Sequence, residues 1–345
     1  MKKKHNLLNK TLAFLLSCGM LLAMAGCGSS ASSSASSTAS SASASTAQSS
    51  SQSADETASG EKLRIGLVQL MDHPSLNEIR DSFIAGMAEL GYDESKVEYD
   101  LQNGQNDPTI LNSIAQKFVG DDVDLIVAIA TPAAQSMAAA TSDIPILFSA
   151  ITDPVYAGLV QSLDAPGGNI TGTSDAIPVE SIFQLADELT PGIQSYGLLY
   201  NAGESNSQSV IAQVKEYLDS KSIAYTEATV TNSSEVQQAA LNLVTQCDAI
   251  FSPIDNTVAS AMPALATVAI ENGKPVYVAA DSMVNDGGLA TVGISYTNLG
   301  KETAEMAVEI LEGGDPATIP VRTLSEFSRV INPDTAAALG ITVTE

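Results

Sequence analysis

The sequence is poor in the side chains that build metal centres, disulfide frameworks and carbohydrate sites. Its 345 residues include no tryptophan, two histidines and three cysteines. Carbohydrate sites commonly stack pyranose rings on indoles, so the lack of tryptophan argues against a sugar ligand. His73 is the only histidine after residue 5, which leaves no second imidazole for a metal site. We therefore predict no metal ligand.

Familiar catalytic motifs are also missing. The sequence has no Walker loop, no dinucleotide-binding glycine fingerprint after its first predicted strand and no nucleophile elbow. The run Asp121–Asp124 has carboxylates like those of a calcium loop, but it lacks the glycine and the closing glutamate of that motif. We predict neither a catalytic residue nor a cofactor, and we expect that the protein is not an enzyme.

Positive charge is scarce. The chain has 15 Lys and Arg against 40 Asp and Glu, a formal net charge of −25. Four of the lysines lie within the first ten residues, and without them 11 basic residues face 40 acidic ones, a net charge near −29. Such a chain repels nucleic acids and anionic membrane surfaces, so we expect no nucleic acid partner.

The beginning of the chain has the order of a secretory signal. Met1–Asn9 carries three consecutive lysines and no acidic residue, and an apolar run follows over Leu12–Leu22. Ser17–Gly19 interrupts this run, which is shorter than the ~20 apolar residues that span a bilayer. We therefore predict a cleaved signal instead of a transmembrane helix.

This signal ends in small residues directly before a cysteine. The string Met24-Ala25-Gly26-Cys27 is similar to a lipobox, although that motif more often has leucine where Met24 stands. We predict that residues 1–26 form a lipoprotein signal peptide and that Cys27 becomes the lipidated N-terminus. The lipid would hold the protein at the outer face of the cytoplasmic membrane. The alternative is an ordinary cleaved signal followed by an incidental cysteine.

A segment rich in serine and alanine follows over residues 27–60. This composition cannot bury enough apolar surface to offset chain entropy, so we predict a disordered tether. Because Cys18 leaves with the signal and Cys27 is lipidated, Cys247 stands alone and no disulfide forms within the mature chain. The apolar neighbours of Cys247 favour a packing role for its side chain.

From residue 61 onward, short β-branched runs alternate with amphipathic helical segments. One predicted helix has Leu76, Ile79 and Phe83 at helical spacing. The alternation predicts an α/β protein with two tandem units of parallel sheet, connected through Gly168–Thr173. The predicted strands are Leu63–Leu70, Val97–Leu101, Asp124–Ala130 and Ile144–Ile151 in the first unit, each apolar enough for burial on both faces, and Tyr196–Asn201, Ala224–Val230, Ala249–Ile254 and Val276–Ala280 in the second.

The remainder of the chain predicts a return to the first unit. It contains a strand at Ala290–Ile294, a helix at Asn298–Leu311 and a last strand at Phe327–Ile331. These elements are best explained if the chain crosses several times between the two units, which we call the N-terminal and C-terminal lobes. We assign residues 61–172 and 294–320 to the N-terminal lobe, and residues 173–293 and 321–345 to the C-terminal lobe.

Polar residues cluster in the loops that follow the predicted strands, where parallel α/β sheets bind their ligands. Backbone amides at Thr131–Ala134 are placed to hold a carboxylate at a helix N-terminus. Glu204, Asp255 and Asp281 could each accept a ligand ammonium. Thr131, Asp255 and Asn256 are equally good helix caps, whereas Asp281 precedes no obvious helix and therefore has the better claim to a ligand.

Other side chains near these loops have two open interpretations. Tyr156, Tyr200 and Tyr296 could stack on a ligand, but tyrosine is also an ordinary half-buried residue. His73 lies before a proline in a loop, where a packing or hydrogen-bonding role is favoured over that of a metal ligand or base. The sequence does not decide whether Asp72 and His73 reach the cleft.

Several strings, taken in order along the chain, resemble those of one family. The strings are Val68–Gly86, Asp124–Gln135, Thr152–Pro154, Gly167–Asn169, Thr171–Asp175, Thr231–Val236, Asp255–Thr257 and Ala290–Ile294. Each string is modest alone, and their number and order make the resemblance specific. Over nearly all of residues 61–345 the chain resembles ABC transporter substrate-binding proteins of the tryptophan/tyrosine type.

The resemblance implies a type I periplasmic-binding-protein fold. Two Rossmann-like lobes with parallel sheets would be joined by three hinge crossings, and an aromatic amino acid would be held between them. The loop positions that match the family are the candidate ligand-binding residues: Thr131, Thr152, Asp153, Ser174, Asp175, Asn201, Asn206, Ser207, Asp255, Asn256 and Asp281.

The function expected from this resemblance is capture and delivery of a solute. An extracytoplasmic lipoprotein, acting as a monomer, would pass its ligand to the permease subunits of an ABC importer. An alternative is a ligand-sensing receptor for another small solute, such as a branched amino acid, nucleoside or sugar, that feeds a signalling partner. An extracellular enzyme is a third class, for which the sequence offers little support.

Overall fold

The computed structural model describes residues 62–343. The predicted signal peptide, the predicted tether and Cys27 lie outside the described residues. Within residues 62–343, no helix has both the length and the apolar character needed to cross a bilayer.

The first lobe contains six strands and four helices. β3 consists of five residues that are all buried, which explains why a continuous apolar run forms a central strand. The strands are β1 (Leu63–Gln69), β2 (Val97–Asn103), β3 (Leu125–Ile129), β4 (Ile146–Ser149), β5 (Ile170–Ser174) and β11 (Arg322–Thr323). The helices are α1 (Pro74–Glu89), α2 (Pro108–Gly120), α3 (Thr131–Ala140) and α10 (Tyr296–Leu311).

The second lobe also has six strands. They are β6 (Ser195–Asn201), β7 (Ala224–Val230), β8 (Ala249–Ser252), β9 (Val276–Val278), β10 (Ala290–Gly293) and β12 (Ser328–Ile331). Its helices are α4 (Val179–Leu189), α5 (Ser205–Lys221), α6 (Val236–Leu243), α7 (Asn256–Ala259), α8 (Met262–Glu271), α9 (Asp281–Asn285) and α11 (Pro333–Ala338), with a 3₁₀ turn at Ser233–Glu235.

The two sheets have the same internal order. The first runs β11-β5-β4-β3-β1-β2 and is parallel throughout. The second runs β12-β10-β9-β8-β6-β7 and is parallel except for the antiparallel edge strand β12. The chain passes between the sheets after β5, after β10 and after β11. This arrangement confirms the predicted α/β fold of two parallel-sheet lobes joined by three crossings.

The structure corrects the sequence interpretation at three strands. Ile170–Ser174, which we expected to belong largely to a connection, is the buried strand β5. β11 pairs with β5, so Arg322 and Thr323 belong to the first sheet although they lie beyond the predicted boundary at residue 320. β2 is an edge strand on which Leu101 is 50% exposed, so it is not buried on both faces. Short strands and edges depend on neighbours that are distant in sequence.

Helix α10 returns to the first lobe by packing closely on α1. A Cβ atom at Gly300 would lie 2.6 Å from the carbonyl oxygen of Ile79, so only glycine permits this approach. Beneath α10, the hydroxyl of Thr303 lies 2.8 Å from that of Ser149 and 2.9 Å from that of Thr173. These contacts fix the start of α10, where Tyr296 stands, at the boundary between the lobes.

Candidate functional site

A narrow cavity lies between the lobes at the carboxyl ends of both sheets. Its unfilled space is about 380 Å³, counting the part that is continuous with solvent. Loops and helix N-termini converge there, as expected for parallel α/β sheets. The lining residues are His73, Ser75, Leu76, Ala130, Thr131, Ala150, Thr152, Asp175, Asn206, Ile254, Asp255, Asn256, Ala259, Ala280, Met283 and Tyr296.

The candidate residues divide into two groups. Six of them line the cavity: Thr131, Thr152, Asp175, Asn206, Asp255 and Asn256. The other five are not among its lining residues, and most of them make hydrogen bonds that support the site: Asp153, Ser174, Asn201, Ser207 and Asp281.

Asp175 is the most distinctive acid in the cavity. Its side chain is buried, and its Oδ1 accepts a hydrogen bond of 2.8 Å from the hydroxyl of Thr152. Burial raises the pKa of Asp175 to about 6, because a carboxylate loses its hydration there. None of the described residues that line the cavity is Lys or Arg. A ligand cation is the partner that such a carboxylate needs.

Thr131 begins α3 and leaves a polar group unsatisfied. Its buried hydroxyl has no hydrogen-bond partner in the part of the chain that the structure describes, so Thr131 does not cap the helix. The residue before it, Ala130, has a φ of 80°, and Ala150 after β4 has a φ of 58°. Non-glycine residues in the left-handed region carry backbone strain, and such strain concentrates at functional sites. Thr131 and the adjacent amides of α3 therefore form a site suited to a carboxylate.

Glu204 and Asp255 hold helix α7 in place. The buried Glu204 carboxylate accepts hydrogen bonds from the backbone amides of Asn256 (3.1 Å) and Thr257 (3.0 Å), and from both of their side chains. Asp255 caps α7 by accepting from the Val258 amide at 2.8 Å. Burial, followed by repulsion from Glu204, raises the pKa of Asp255 to about 7. Both acids are already committed to protein donors, which leaves Asp175 as the better acceptor for an ammonium.

The structure contradicts our reason for favouring Asp281. We expected no helix after Asp281, but this residue is the first of α9. Its Oδ1 accepts a hydrogen bond from the Ser282 amide at 2.7 Å. Burial raises the pKa of Asp281. Its side chain is half-buried but is not among the groups that line the cavity.

His73 is a functional candidate that sequence reasoning undervalued. It lines the cavity, is 8% exposed, and its Nε2 lies 3.1 Å from Oδ1 of Asn256 in the other lobe. Burial lowers the pKa of His73 from its usual value of 6.5, which favours the neutral ring at pH 7. The signal that could have identified it was its position in the loop that follows the first predicted strand.

Tyr296 and a set of apolar side chains complete the walls. The Tyr296 side chain is 3% exposed, and burial together with the nearby Asp175 raises the pKa of its phenol. Of the three tyrosines considered as stacking residues, Tyr296 lines the cavity, whereas Tyr156 is 55% exposed and Tyr200 bonds to Glu227. The cavity therefore combines an aromatic and aliphatic wall with a few polar groups, a composition typical of small-molecule sites.

Among residues 62–343, six side-chain hydrogen bonds cross the gap between the lobes. They involve side chains from the loops and helix N-termini that face each other, and they hold the cleft closed. The pairs are His73 with Asn256 (3.1 Å), Ser75 with Ser282 (2.5 Å), Asn106 with Thr257 (3.4 Å), Gln135 with Ser205 (3.3 Å), Asp153 with Ser209 (2.5 Å) and Tyr156 with Gln208 (3.2 Å).

The fold and the cavity together define a class of protein. Two α/β lobes joined by three crossings around a closed, polar and aromatic cleft are the architecture of type I periplasmic solute-binding proteins. Comparison with known proteins gives the family. The family model described as ABC transporter substrate binding protein matches residues 64–345, and the chain belongs to this family, whose members bind solutes and are not enzymes.

Relatives of this chain have described ligands. It is 42% identical over 285 residues to a tyrosine-binding protein of Clostridioides difficile, which covers 82% of this chain and 83% of the relative. A crystal structure from Streptococcus pneumoniae, of an ABC domain in complex with L-Trp, has 38% identity and a TM-score of 0.80. That match covers 83% of this chain and 97% of the other.

A third comparison concerns the closed cleft. The ligand-free, open structure of a substrate binding protein with adhesive properties from Clostridium difficile has 41% identity, covers 82% of this chain and 96% of the other, and gives a TM-score of 0.65. The L-Trp complex is slightly less similar in sequence but has the higher TM-score. This difference agrees with the cross-lobe hydrogen bonds, because closure around a ligand changes the arrangement of lobes more than their internal structure.

Proposed function

We propose that this chain is the extracytoplasmic receptor of an ABC importer and captures an aromatic amino acid between its lobes. The observation that carries the proposal is the buried Asp175 carboxylate, which has no cationic partner among the described residues and lies in a cavity walled by Tyr296 and aliphatic side chains. The tyrosine-binding relative and the neighbour with bound L-Trp support this ligand class.

The groups of an amino acid find complementary partners around the cavity. The ammonium would pair with Asp175, and the carboxylate would lie at the N-terminus of α3, where the Thr131 hydroxyl is unpaired. The aromatic ring would lie among Tyr296, Leu76 and Met283. The ammonium, the carboxylate and the ring of the ligand would then all leave water when the lobes close, and each would have a partner in the protein.

Closure is the step that couples binding to delivery. A ligand that contacts both lobes favours the closed form by the difference between its affinities for the closed and open forms. The six cross-lobe hydrogen bonds would form in that same step, and the permease subunits would recognise the closed arrangement. Residues far from the ligand, such as Tyr156 and Gln208 at the rim, would thereby come into contact only when a ligand is bound.

A ligand screen tests this proposal. We expect tryptophan, tyrosine or both to raise the melting temperature of the purified protein, since a ligand at ~100 times its Kd adds about 2.7 kcal/mol to the native state. Differential scanning fluorimetry against amino acids, nucleosides and sugars measures the effect. A response to sugars or nucleosides, with none to aromatic amino acids, would contradict the ligand class.

We also propose that the protein is lipid-anchored at the outer face of the cytoplasmic membrane through Cys27. The small residues before Cys27 and the serine-rich segment after it support an anchor followed by a spacer. Replacing Cys27 with serine is expected to release the protein from the membrane fraction, because no acyl chain can then be attached. Fractionation followed by immunoblotting measures this, with Cys247→Ser as the matched control. Equal membrane retention of Cys27→Ser and the wild type would reject the anchor.

A further inference from the structure

Two residues that line the cavity each have a buried hydrogen-bond acceptor with no donor among the described residues. The first is Nδ1 of His73, whose state follows from a chain of contacts. Nδ2 of Asn256 donates to the Glu204 carboxylate at 2.6 Å, and a carboxylate only accepts, so Oδ1 of Asn256 faces His73. Because an amide oxygen also only accepts, the proton of the neutral imidazole is on Nε2. Nδ1 is therefore a lone-pair acceptor, and it is buried with no partner among the residues that the structure describes.

The second unpaired acceptor is Oδ1 of Asn206. Nδ2 of this residue donates to the carbonyl oxygen of Ile254 at 2.8 Å and lies 3.3 Å from Glu204, which sets the orientation of the amide. Oδ1 of Asn206 is buried and has no partner within residues 62–343. The two acceptors come from opposite lobes, since His73 precedes α1 and Asn206 lies in the first turn of α5.

The ligand ammonium cannot serve both ends of this cavity. Asp175 follows β5 and His73 follows β1, and these strands are three positions apart in the order β5-β4-β3-β1. Strands lie about 4.8 Å apart, so the two strand ends are separated by about 14 Å. An ammonium held by Asp175 is therefore out of reach of the His73 side of the cavity. A donor at that side has to come from the far end of the ligand.

We propose that the site selects amino acids whose aromatic ring carries a hydrogen-bond donor, with His73 as the main specificity-determining residue and Asn206 as the second. A phenol O–H or an indole N–H meets this requirement, and a phenyl ring does not. The inference rests on the proposed function and narrows its ligand class. It accounts for the two described ligands, tyrosine and L-Trp, by one shared chemical feature.

The discrimination has a definite expected size. A phenyl ring would exclude water from the His73 side while leaving its acceptor unpaired, which weakens binding by about 10- to 100-fold. Sites built to bond a polar substrate group reject the analogue that lacks it for the same reason.

Isothermal titration of the full chain, solubilised in detergent, tests the proposal with four ligands. L-Tyr and L-Trp are expected to bind about 10- to 100-fold more tightly than L-Phe and 4-fluoro-L-phenylalanine. The fluorinated ligand matches tyrosine in shape but has no donor on its ring. Equal affinities for all four would overturn the inference and leave the proposed function intact, whereas failure of all four to bind would overturn both.

A matched pair of variants assigns the selectivity to His73. In His73→Gln the amide nitrogen can replace Nε2 toward Asn256, but no acceptor stands where Nδ1 was. In His73→Asn the amide oxygen can replace Nδ1, and the Asn256 contact is lost. We expect the ratio of the affinities for L-Tyr and L-Phe to fall about tenfold in His73→Gln and to stay unchanged in His73→Asn. Full preference in His73→Gln, or loss only in His73→Asn, would overturn the assignment. Both variants are compared at equal folded fraction, measured by circular dichroism.

Discussion

Replacing Asp175 with asparagine is expected to weaken aromatic amino acid binding by about 100-fold or more and, at the same time, to stabilise the ligand-free protein. The carboxylate is buried beside Thr152 without a cationic partner among the cavity residues. Removing one partner of a buried charge pair costs about 2–5 kcal/mol of binding free energy. In the empty protein the same charge is uncompensated, so its removal relieves a desolvation penalty. Calorimetric titration and thermal melts measure the two effects.

The pH dependence of stability and of ligand affinity separates a charge effect of Asp175 from a general packing defect. Burial raises the pKa of Asp175 to about 6, above the ordinary aspartate value that applies in the unfolded chain. The native protein therefore binds more protons than the unfolded chain between about pH 4 and 6. In that window the Asp175 contribution to the free energy of unfolding decreases as pH rises. Ligand affinity changes in the opposite direction, because the ammonium needs the ionised carboxylate.

The matched control is Asp281→Asn. Asp281 is also an acid with a pKa raised by burial, but it is half-buried and is not among the cavity residues. We expect the affinity of Asp281→Asn for aromatic amino acids to stay within about threefold of the wild type, since Asp281 makes no ligand contact in the proposed site. If Asp281→Asn weakened binding as strongly as Asp175→Asn, or if Asp175→Asn bound normally, Asp175 would not be the ammonium partner.

Replacing Glu204 with alanine is expected to lower the free energy of unfolding by about 3 kcal/mol. The substitution leaves the backbone amides of Asn256 and Thr257, and the side chains of both, without their shared acceptor. Buried donors left unpaired cost about 1–3 kcal/mol each, with partial recovery where water enters. For a chain of this size the melting temperature would decrease by about 6–12 °C. Urea denaturation followed by circular dichroism measures the change.

Two variants serve as controls for Glu204. Glu204→Gln retains one amide oxygen as an acceptor, so about half of the loss is expected. Glu216→Ala removes an exposed glutamate from α5 and should change stability by no more than about 0.5 kcal/mol. A Glu204→Ala protein as stable as Glu216→Ala would show that the start of α7 does not depend on this carboxylate. Because Asn256 also orients His73, Glu204→Ala should reduce the preference for L-Tyr over L-Phe as well.

Much of the candidate site could be predicted from the ends of strands. Thr131, Thr152 and Asp175 all line the cavity, because parallel strands that are adjacent in the sheet bring the residues after them to one edge. The roles of the acids could not be predicted in the same way. Glu204 and Asp281 lie in equivalent loops and neither lines the cavity, yet Glu204 accepts the donors at the start of α7, whereas Asp281 accepts from the amide of the next residue, Ser282.

His73 shows what local pattern cannot supply. A histidine before a proline is compatible with many loop positions, and its importance depends on Asn256, which is 183 residues away in sequence. The tautomer of His73 depends in turn on Glu204 through the orientation of the Asn256 amide. Such a chain of contacts exists only after both lobes have folded and closed.

The sequence by itself determined most of the strands and helices, the fold class and the family, because strand and helix periodicity and the motifs after each strand are local properties of the chain. The tertiary structure alone decided which polar groups are left unpaired in the cavity. Among the described residues, the unpaired hydroxyl of Thr131 and the unpaired acceptors of His73 and Asn206 result from burial and from hydrogen bonds between distant residues. The cost of an unpaired buried group depends on its surroundings and not on its neighbours in sequence.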